Sequence, residues 1–591
     1  MDEIIFINGK RAQLTERSVS RNLQVNDFGE IAKRQSNYSN TIKLPFSPIN
    51  KEIFDFVGVI GNTSEKAYRI VSIDYSLDSI QLVNNGKGIL KKTSKNYELV
   101  FYDGNITLRD LLGNSELKDL DFTSINHTLT INEFFQSSNN TGDYIYLLKE
   151  GNTVDIHKTP PFFYAFTVFQ MIFEQKGWTI AGDLITNAKF KKELQSVQKG
   201  FENGSSGSVV QEYSQNHTDT RSYAGTVFQS QTFNLDSFTL TTGNLHSVSI
   251  IGTIQVQEAE RVKISIFRNG NEITSEEYFS PYANNTEVNI VTQGIYNSGD
   301  VITTSMTVDS ADIPGSVVFA FDLVENFITR IFSNVQNISI DFSEIIGNRK
   351  QIDFVKDIVQ RYNVIYRKNS ETEIEFKLVE SILQSSDVEN WTDKFSEVIS
   401  EEYTTRYAQS NELKYSYDQD GENFLDGVIE LDNELLEPNK TILNSPLKGV
   451  RLINGAFIYN YPWGFYDENG QPIENGYYIA YAEKFTDDIF YRINDSDNYT
   501  LTNLQAARVT NTDLSFDNFI NEYFTAFQQL IERYKKITLN LRLTNIDIYE
   551  LDFFRPKYFA QLGRKYYLQR VVSYKSDRIT KVELLEIPPQ T

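Results

Sequence analysis

RSVSRNLQVNDFGEIAKRQSNYSNTIKLPFSPINKEIFDFVG, residues 17–58, sets several kinds of local structure side by side and carries no catalytic residue pattern. Within RQSNYSNTIKLP, residues 34–45, Tyr38, Ile42 and Leu44 fall on one face of an extended strand. Pro45 ends that strand by biasing Leu44 away from helix. Ser47-Pro48 then opens a helix, because the Ser47 hydroxyl accepts from a free first-turn amide and Pro48 at the first position loses no bond. Ile49, Ile53, Phe54 and Val57 recur near helical spacing, and Gly58 is the expected stop. A run so full of architecture and so empty of reactive groups points away from an enzyme.

Short strands dominate the surroundings. IIFING, KAYRIVSID, SIQLVN, GILKK and YELVFYDG are separated by turns such as Asn84-Asn85-Gly86 and Asp103-Gly104, which predicts a barrel or sandwich for residues 1–112. A mixed α/β domain follows at 113–204, where Phe162, Phe166, Phe169, Ile172 and Phe173 form a helical stripe closed by Gly177. A comparable unit opens the segment 326–450: Ile352, Val355, Ile358, Val359 and Tyr362 share a helix face, Asn363 is the left-handed cap, and Val364–Tyr366 is a strand. Between the two units, ENGSSGSVV reads as a linker into period-two runs without helix, which predicts an inserted β-sandwich of jelly-roll type at 205–325. A β-rich insertion is expected at 451–514, and 515–591 holds a helix over Asp517–Lys536 plus closing strands. The fold class expected is a β-rich multidomain α+β protein.

Composition narrows the function. At 591 residues the chain exceeds one core, with 40% hydrophobic and 13% aromatic residues. A mean hydropathy of -0.39 and the lack of a long uncharged apolar run predict no membrane span. Met1-Asp2-Glu3 starts nothing like a signal peptide. A net charge of -23 disfavours phosphate gripping but suits a channel through which DNA slides without sticking. The absence of Cys removes disulfides, thiolate metal sites and thiol nucleophiles together.

No motif supplies chemistry. His127, His157, His217 and His246 show no ligand spacing and read as polar loop or turn residues. Asp418, Asp420 and Asn423 mimic a calcium loop, yet Gly421 comes too early and no closing Glu follows, so a hairpin explains them better. Lys87 sits in NNGKGIL without the rest of a phosphate cradle. No catalytic, metal or cofactor residue is therefore assigned, and no cofactor is expected. The cluster FIYNYPWGFY supplies the candidate interaction residues Trp463, Phe465 and Tyr466, since exposed rings stack on sugars or anchor partners, while burial in a core is the commoner fate of such aromatics.

The block RSVSRNLQVNDFGEIAKRQSNYSNTIKLPFSPINKEIF resembles the start of tail hub proteins of tailed bacteriophages and prophages. PFFYAFTVFQMIFEQKGWTIAGDLI, QIDFVKDIVQRYNVIYRK with NWTDKF, and the ending from ITLNLRL to TKVELLEI resemble later hub segments, while 205–325 falls outside the likeness. The resemblance implies a virion structural protein with two barrel-like domains, forming a trimeric ring at the distal end of the tail. Implied partners are further copies of itself, the tail tube or distal tail protein, the tape-measure protein, and the tip, spike or receptor-binding protein. DNA would pass through without specific binding, and the protein would be made in the host bacterial cytoplasm. Two other classes stay open: a receptor- or glycan-binding tail protein using 205–325, and a tail-associated cell-wall hydrolase.

Overall fold

The computed structural model describes residues 3–14, 19–24, 37–93, 95–102, 108–148, 153–154, 159–199, 208–241, 243, 245–279, 286–314, 318–335, 338–370, 372–417, 422–449, 452–453, 456–457, 476–494, 497–575 and 578–589. The protein is a β-rich, multidomain α+β chain whose two ends share one thirteen-stranded sheet. Its first half runs in the order Lys10–Arg11, Glu3–Ile7, Val71–Leu77, Ile80–Thr93, Asn96–Tyr102, Asn37–Pro45, Ser20–Gln24. The second half continues with Arg564–Tyr574, Thr580–Ile587, Lys536–Leu541 and Phe395–Glu402, and Lys557–Phe559 also pairs with Arg564–Tyr574. Strand Ser20–Gln24 is the joint: Leu23 lies opposite Tyr38 on one side and Val571 on the other.

Each half is a half-barrel over its own core, one built on Ile5, Leu44, Tyr97 and Phe101, the other on Leu539, Phe559, Leu568 and Val582. Five strands of the two halves follow the same all-antiparallel order. Ser20–Gln24, Asn37–Pro45, Asn96–Tyr102, Ile80–Thr93 and Val71–Leu77 correspond to Phe395–Glu402, Lys536–Leu541, Thr580–Ile587, Arg564–Tyr574 and Lys557–Phe559. Even the capped helix recurs, Pro48–Ile53 after Ser47 and Asn545–Tyr549 after Thr544, each between corresponding strands. The sixth strand differs, since Glu3–Ile7 pairs antiparallel but Glu389–Asn390 pairs parallel.

Between the half-barrels lies an α/β body. Helix Ala165–Glu174 ends before Gly177 at φ +77°, and helix Gln351–Arg361 before Asn363 at φ +51°, as their caps predict. The two units share one small sheet, in which Thr179–Ala181 runs parallel to Glu373–Leu378 and the latter antiparallel to Val364–Ser370. They also share one core: the Phe169 and Phe376 rings are 5.1 Å apart, and those of Phe190 and Tyr362 5.4 Å. Phe162 belongs to strand Pro161–Tyr164 rather than to the helical stripe, because it pairs with Ile145 and Ser196.

The single helix expected at 517–536 is two, Phe516–Tyr523 and Thr525–Glu532, broken at Phe524. The cause is tertiary. Asn363 Nδ2 donates to the Tyr523 carbonyl at 2.6 Å, and the Glu380 carboxylate accepts from the Ala526 amide at 2.9 Å, so partners distant in sequence satisfy both groups at the break.

Residues 208–335 form the expected jelly roll around a separate core that includes Val248, Ile264, Met306 and Phe321. One sheet places Ser208–His217 and Thr220–Gly225 along Phe319–Val335, then Leu245–Val256 and Thr286–Ile295. The other runs Ser230–Thr239, Val301–Asp312, Ala259–Arg268, Asn271–Phe279. Successive strands cross between the sheets except at Ser208–His217/Thr220–Gly225 and at the hairpin Ala259–Arg268/Asn271–Phe279, which is the two-Greek-key order. No helix among the described residues is long and apolar enough to cross a membrane.

Candidate assembly surface

The excursion that follows strand Asn37–Pro45 is built from both of its faces. Ser47 accepts from the Asn50 amide at 3.3 Å, and Pro48 takes the first turn. Asn50, fully buried, donates to the carbonyls of Gln13 at 2.8 Å and Pro45 at 3.0 Å and accepts from the Gln13 amide at 2.9 Å. These bonds fasten the helix to the first strands. It stops at Ile53, short of the expected Val57, because Asp55 and Phe56 turn left-handed at φ +49° and +57°.

That turn sorts the side chains. Ile53, Phe54 and Val57 point into the core, where Phe54 packs 4.6 Å from the Tyr97 ring and the Tyr97 hydroxyl donates to the Val57 carbonyl at 2.9 Å. Gly58, φ +90°, lets the chain pass within reach of Phe46 and Thr93. Asn62 Nδ2 donates to the Asp55 carbonyl at 2.8 Å, and Lys66 Nζ to that of Ile53 at 3.2 Å. What remains outside is apolar: Ile49, Phe56, Val59, Ile60, Tyr68 and Ile70 stand exposed, Tyr68 at 91%. A bulky left-handed residue such as Phe56 is held at a cost of about 1–3 kcal/mol, and such strain concentrates at functional sites. An exposed apolar patch on a frame this well tied is the signature of a docking surface.

A second feature faces outward at the far end of the sheet. Strand Phe395–Glu402 pairs with Lys536–Leu541 on one side and, among the described residues, with no strand on the other. Val398 and Ile399 are exposed on it, as is Tyr403 just beyond. Two bulges interrupt its ladder. Free strand edges of this kind accept further strands.

The buried charges serve architecture. Arg361, without solvent exposure, donates through Nη1 and Nη2 to Glu193 at 2.8 and 2.6 Å and through Nε to Asp357 at 3.0 Å. The Tyr362 hydroxyl donates to Glu193 and the Ser445 hydroxyl to Asp357. Burial pushes the Asp357 carboxyl up, but the Arg361 and Arg349 charges prevail and hold it low. This network, buried from solvent, joins three segments of the body.

The three described histidines lie on strands rather than in loops. His127 stacks on Tyr144 at 3.9 Å and bonds the Tyr146 hydroxyl, and burial lowers its pKa. His217 lies 3.0 Å from Asp236, and His246 is buried 3.2 Å from Glu212. Inward-facing strand positions, which their spacing alone did not reveal, explain all three. His157, Asp418, Asp420 and Gly421 lie outside the described residues, as do the candidate interaction residues Trp463, Phe465 and Tyr466. Among the described residues no group of three His, Asp or Glu side chains gathers as metal ligands would.

No family model matches the chain. Non-toxic nonhemagglutinin type D of Clostridium botulinum D phage is 27% identical over 131 residues, 22% of this chain. Those residues span only 10% of that protein's length. Among solved structures, the 43 kDa tail protein of prophage MuSo2 from Shewanella oneidensis aligns over 99% of this chain and 98% of its own, at 4% identity and a TM-score of 0.35. The VP2 subviral particle protein of infectious bursal disease virus aligns over 57% of this chain and 61% of its own, at 8% identity and a TM-score of 0.15. Scores this low establish no common overall fold.

Proposed function

We propose that the chain is a structural protein of a phage tail, a hub that joins the distal end of the tail tube to the tip or spike. It acts by assembly rather than by bond chemistry. The observation that carries this reading is the apolar excursion at 49–70, exposed on a frame held by Asn50, Phe54 and Tyr97. Burying about 25 cal/mol per Å² makes such a surface a strong adhesive for a fitting neighbour and a liability without one. The hub resemblance of residues 17–54 overlaps the start of this excursion at 49–54 and supplies the class of neighbour: the tube or distal tail protein, the tape-measure protein, and further copies of this chain, in a trimer on the hub precedent. An acidic net charge of -23 suits a conduit that DNA traverses without binding.

Labelled electron microscopy of intact particles tests the reading. Antibody at the distal end of the tail is expected, and particles without any label overturn it. A second reading, glycan binding by the jelly roll, is favoured by that domain's separate core. It predicts signals on a glycan array for the full chain that vanish when residues 208–335 are deleted.

A further inference from the structure

The two sheets of the jelly roll present unlike outer faces. On the sheet of Ser230–Thr239, Val301–Asp312, Ala259–Arg268 and Asn271–Phe279 the charges are paired with one another: Arg261 bonds Asp309 at 2.8 Å and Glu277 at 3.2 Å, and Lys263 bonds Glu272 at 2.8 Å. The face of the other sheet is built differently. Register sets Asn216, Ile328, Ile251 and Asn289 in one row across it, and Ser214, Arg330, Ser249 and Val291 in the next. These side chains point away from the core, because their strand neighbours Val248, Ile250, Ile290 and Ile331 are the ones buried in it. Ile251 and Val291 stand 41% and 49% exposed, with Ser249 recessed between Val291 and Arg330. The domain is anchored to the body beyond these rows, where Leu245 joins the body's core and Ile295 packs against it.

Arg330 is the odd member of this face. It is exposed and, among the described residues, has no ion pair, hydrogen bond or ring contact. Acids on the same face lie toward its far end, Glu287 opposite Thr253 and Asp322 opposite Ser222. A lone exposed guanidinium amid uncharged rows is out of keeping with a chain of net charge -23.

We infer that this face binds an anionic glycan, a polyhydroxylated chain carrying carboxylate or phosphate groups, with Arg330 holding the charge. The inference rests on the reading of the jelly roll as a glycan-binding domain and names its ligand class. The guanidinium fork matches a carboxylate or phosphate with two parallel bonds. Asn216, Asn289, Ser214 and Ser249 supply donors and acceptors for hydroxyls, and Ile251, Ile328 and Val291 receive the C–H faces of the rings. Charge complementarity decides the occupant. The two rows hold one cation and no acid, whereas a nucleic acid needs many cations to neutralise its phosphates.

The full-length protein is tested on surfaces of polygalacturonate, poly(glycerol phosphate), dextran and single-stranded DNA. Binding to one or both charged glycans is expected, weaker by about tenfold or more in Arg330→Gln and unchanged in Lys263→Gln on the opposite sheet, at equal melting temperature. Which of the two polymers is retained tells carboxylate from phosphate. Ile251→Glu, which leaves the guanidinium in place and sets an acid in the neighbouring row, should abolish binding as well. Dextran bound as tightly as the charged polymers, or glycan binding indifferent to Arg330→Gln, would overturn the anionic site and leave glycan binding by the jelly roll standing. Equal binding to DNA would overturn it as a site for phosphate alone. Retention on none of the glycans would overturn both.

Discussion

Replacing Arg361 by Met strands a buried carboxylate, and the cost follows from what each acid retains. Asp357 keeps the Ser445 hydroxyl at 2.6 Å and Arg349 at 3.5 Å. Glu193 keeps the Tyr362 hydroxyl and the Gln195 amide but loses both guanidinium bonds and its cation, with no solvent exposure to compensate. Removing one partner of a buried pair costs roughly 3–5 kcal/mol, since the remaining charge is left uncompensated. Glu193→Gln in the same chain removes that charge, so the double variant should recover all but about 1–2 kcal/mol of it, the size of one or two hydrogen bonds. Urea unfolding followed by Trp178 fluorescence, in a background with Trp391→Phe and Trp463→Phe, confines the signal to the body, whose core contains Trp178. Equal losses in the single and double variants would refute the reasoning, because the cost would then come from packing and not from a stranded charge.

Three further outcomes follow from the geometry. Asp236 is pushed up by burial but held at about 2 by bonds from His217, Tyr213 and Thr329. A depressed folded pKa stabilises above the unfolded value, near 3.8, and that contribution of about 2 kcal/mol fades as pH falls toward 2. Asp236→Asn should therefore weaken the jelly roll at pH 7, with the deficit shrinking toward pH 2 in hydrogen exchange of residues 208–335. Gly58→Ala forces a side chain onto a residue at φ +90° within 3.2 Å of Phe46 and Thr93. It should cost about 1–2 kcal/mol and loosen the excursion, read as faster proteolysis at 55–70. Glu380→Ala uncaps Thr525–Glu532 and should cost about 1 kcal/mol, whereas Ile60→Asp should leave thermal stability unchanged and abolish self-association.

Local chemistry settled the elements whose causes are local. The Ser47 cap, the left-handed stops at Gly177 and Asn363, and the alternating strands of the jelly roll all stand where their residues place them. Each depends on a hydroxyl, a φ angle or a two-residue period within one short run. The break at Phe524 was illegible because Asn363 and Glu380 create it from elsewhere in the chain. The inward histidines were illegible because their partners lie on other strands. The pairing of Phe395–Glu402 with Lys536–Leu541 spans all of 403–535, and its match to Ser20–Gln24 with Asn37–Pro45 lies in backbone hydrogen bonds rather than in shared side chains. Residue order thus determined strands and caps, whereas only the tertiary structure decided that 37–58 belongs to one of two matching half-barrels and turns its spare apolar face outward. Backbone pairing reads conformation and not side-chain identity, so a repeat written in strand order leaves no mark in the residues themselves.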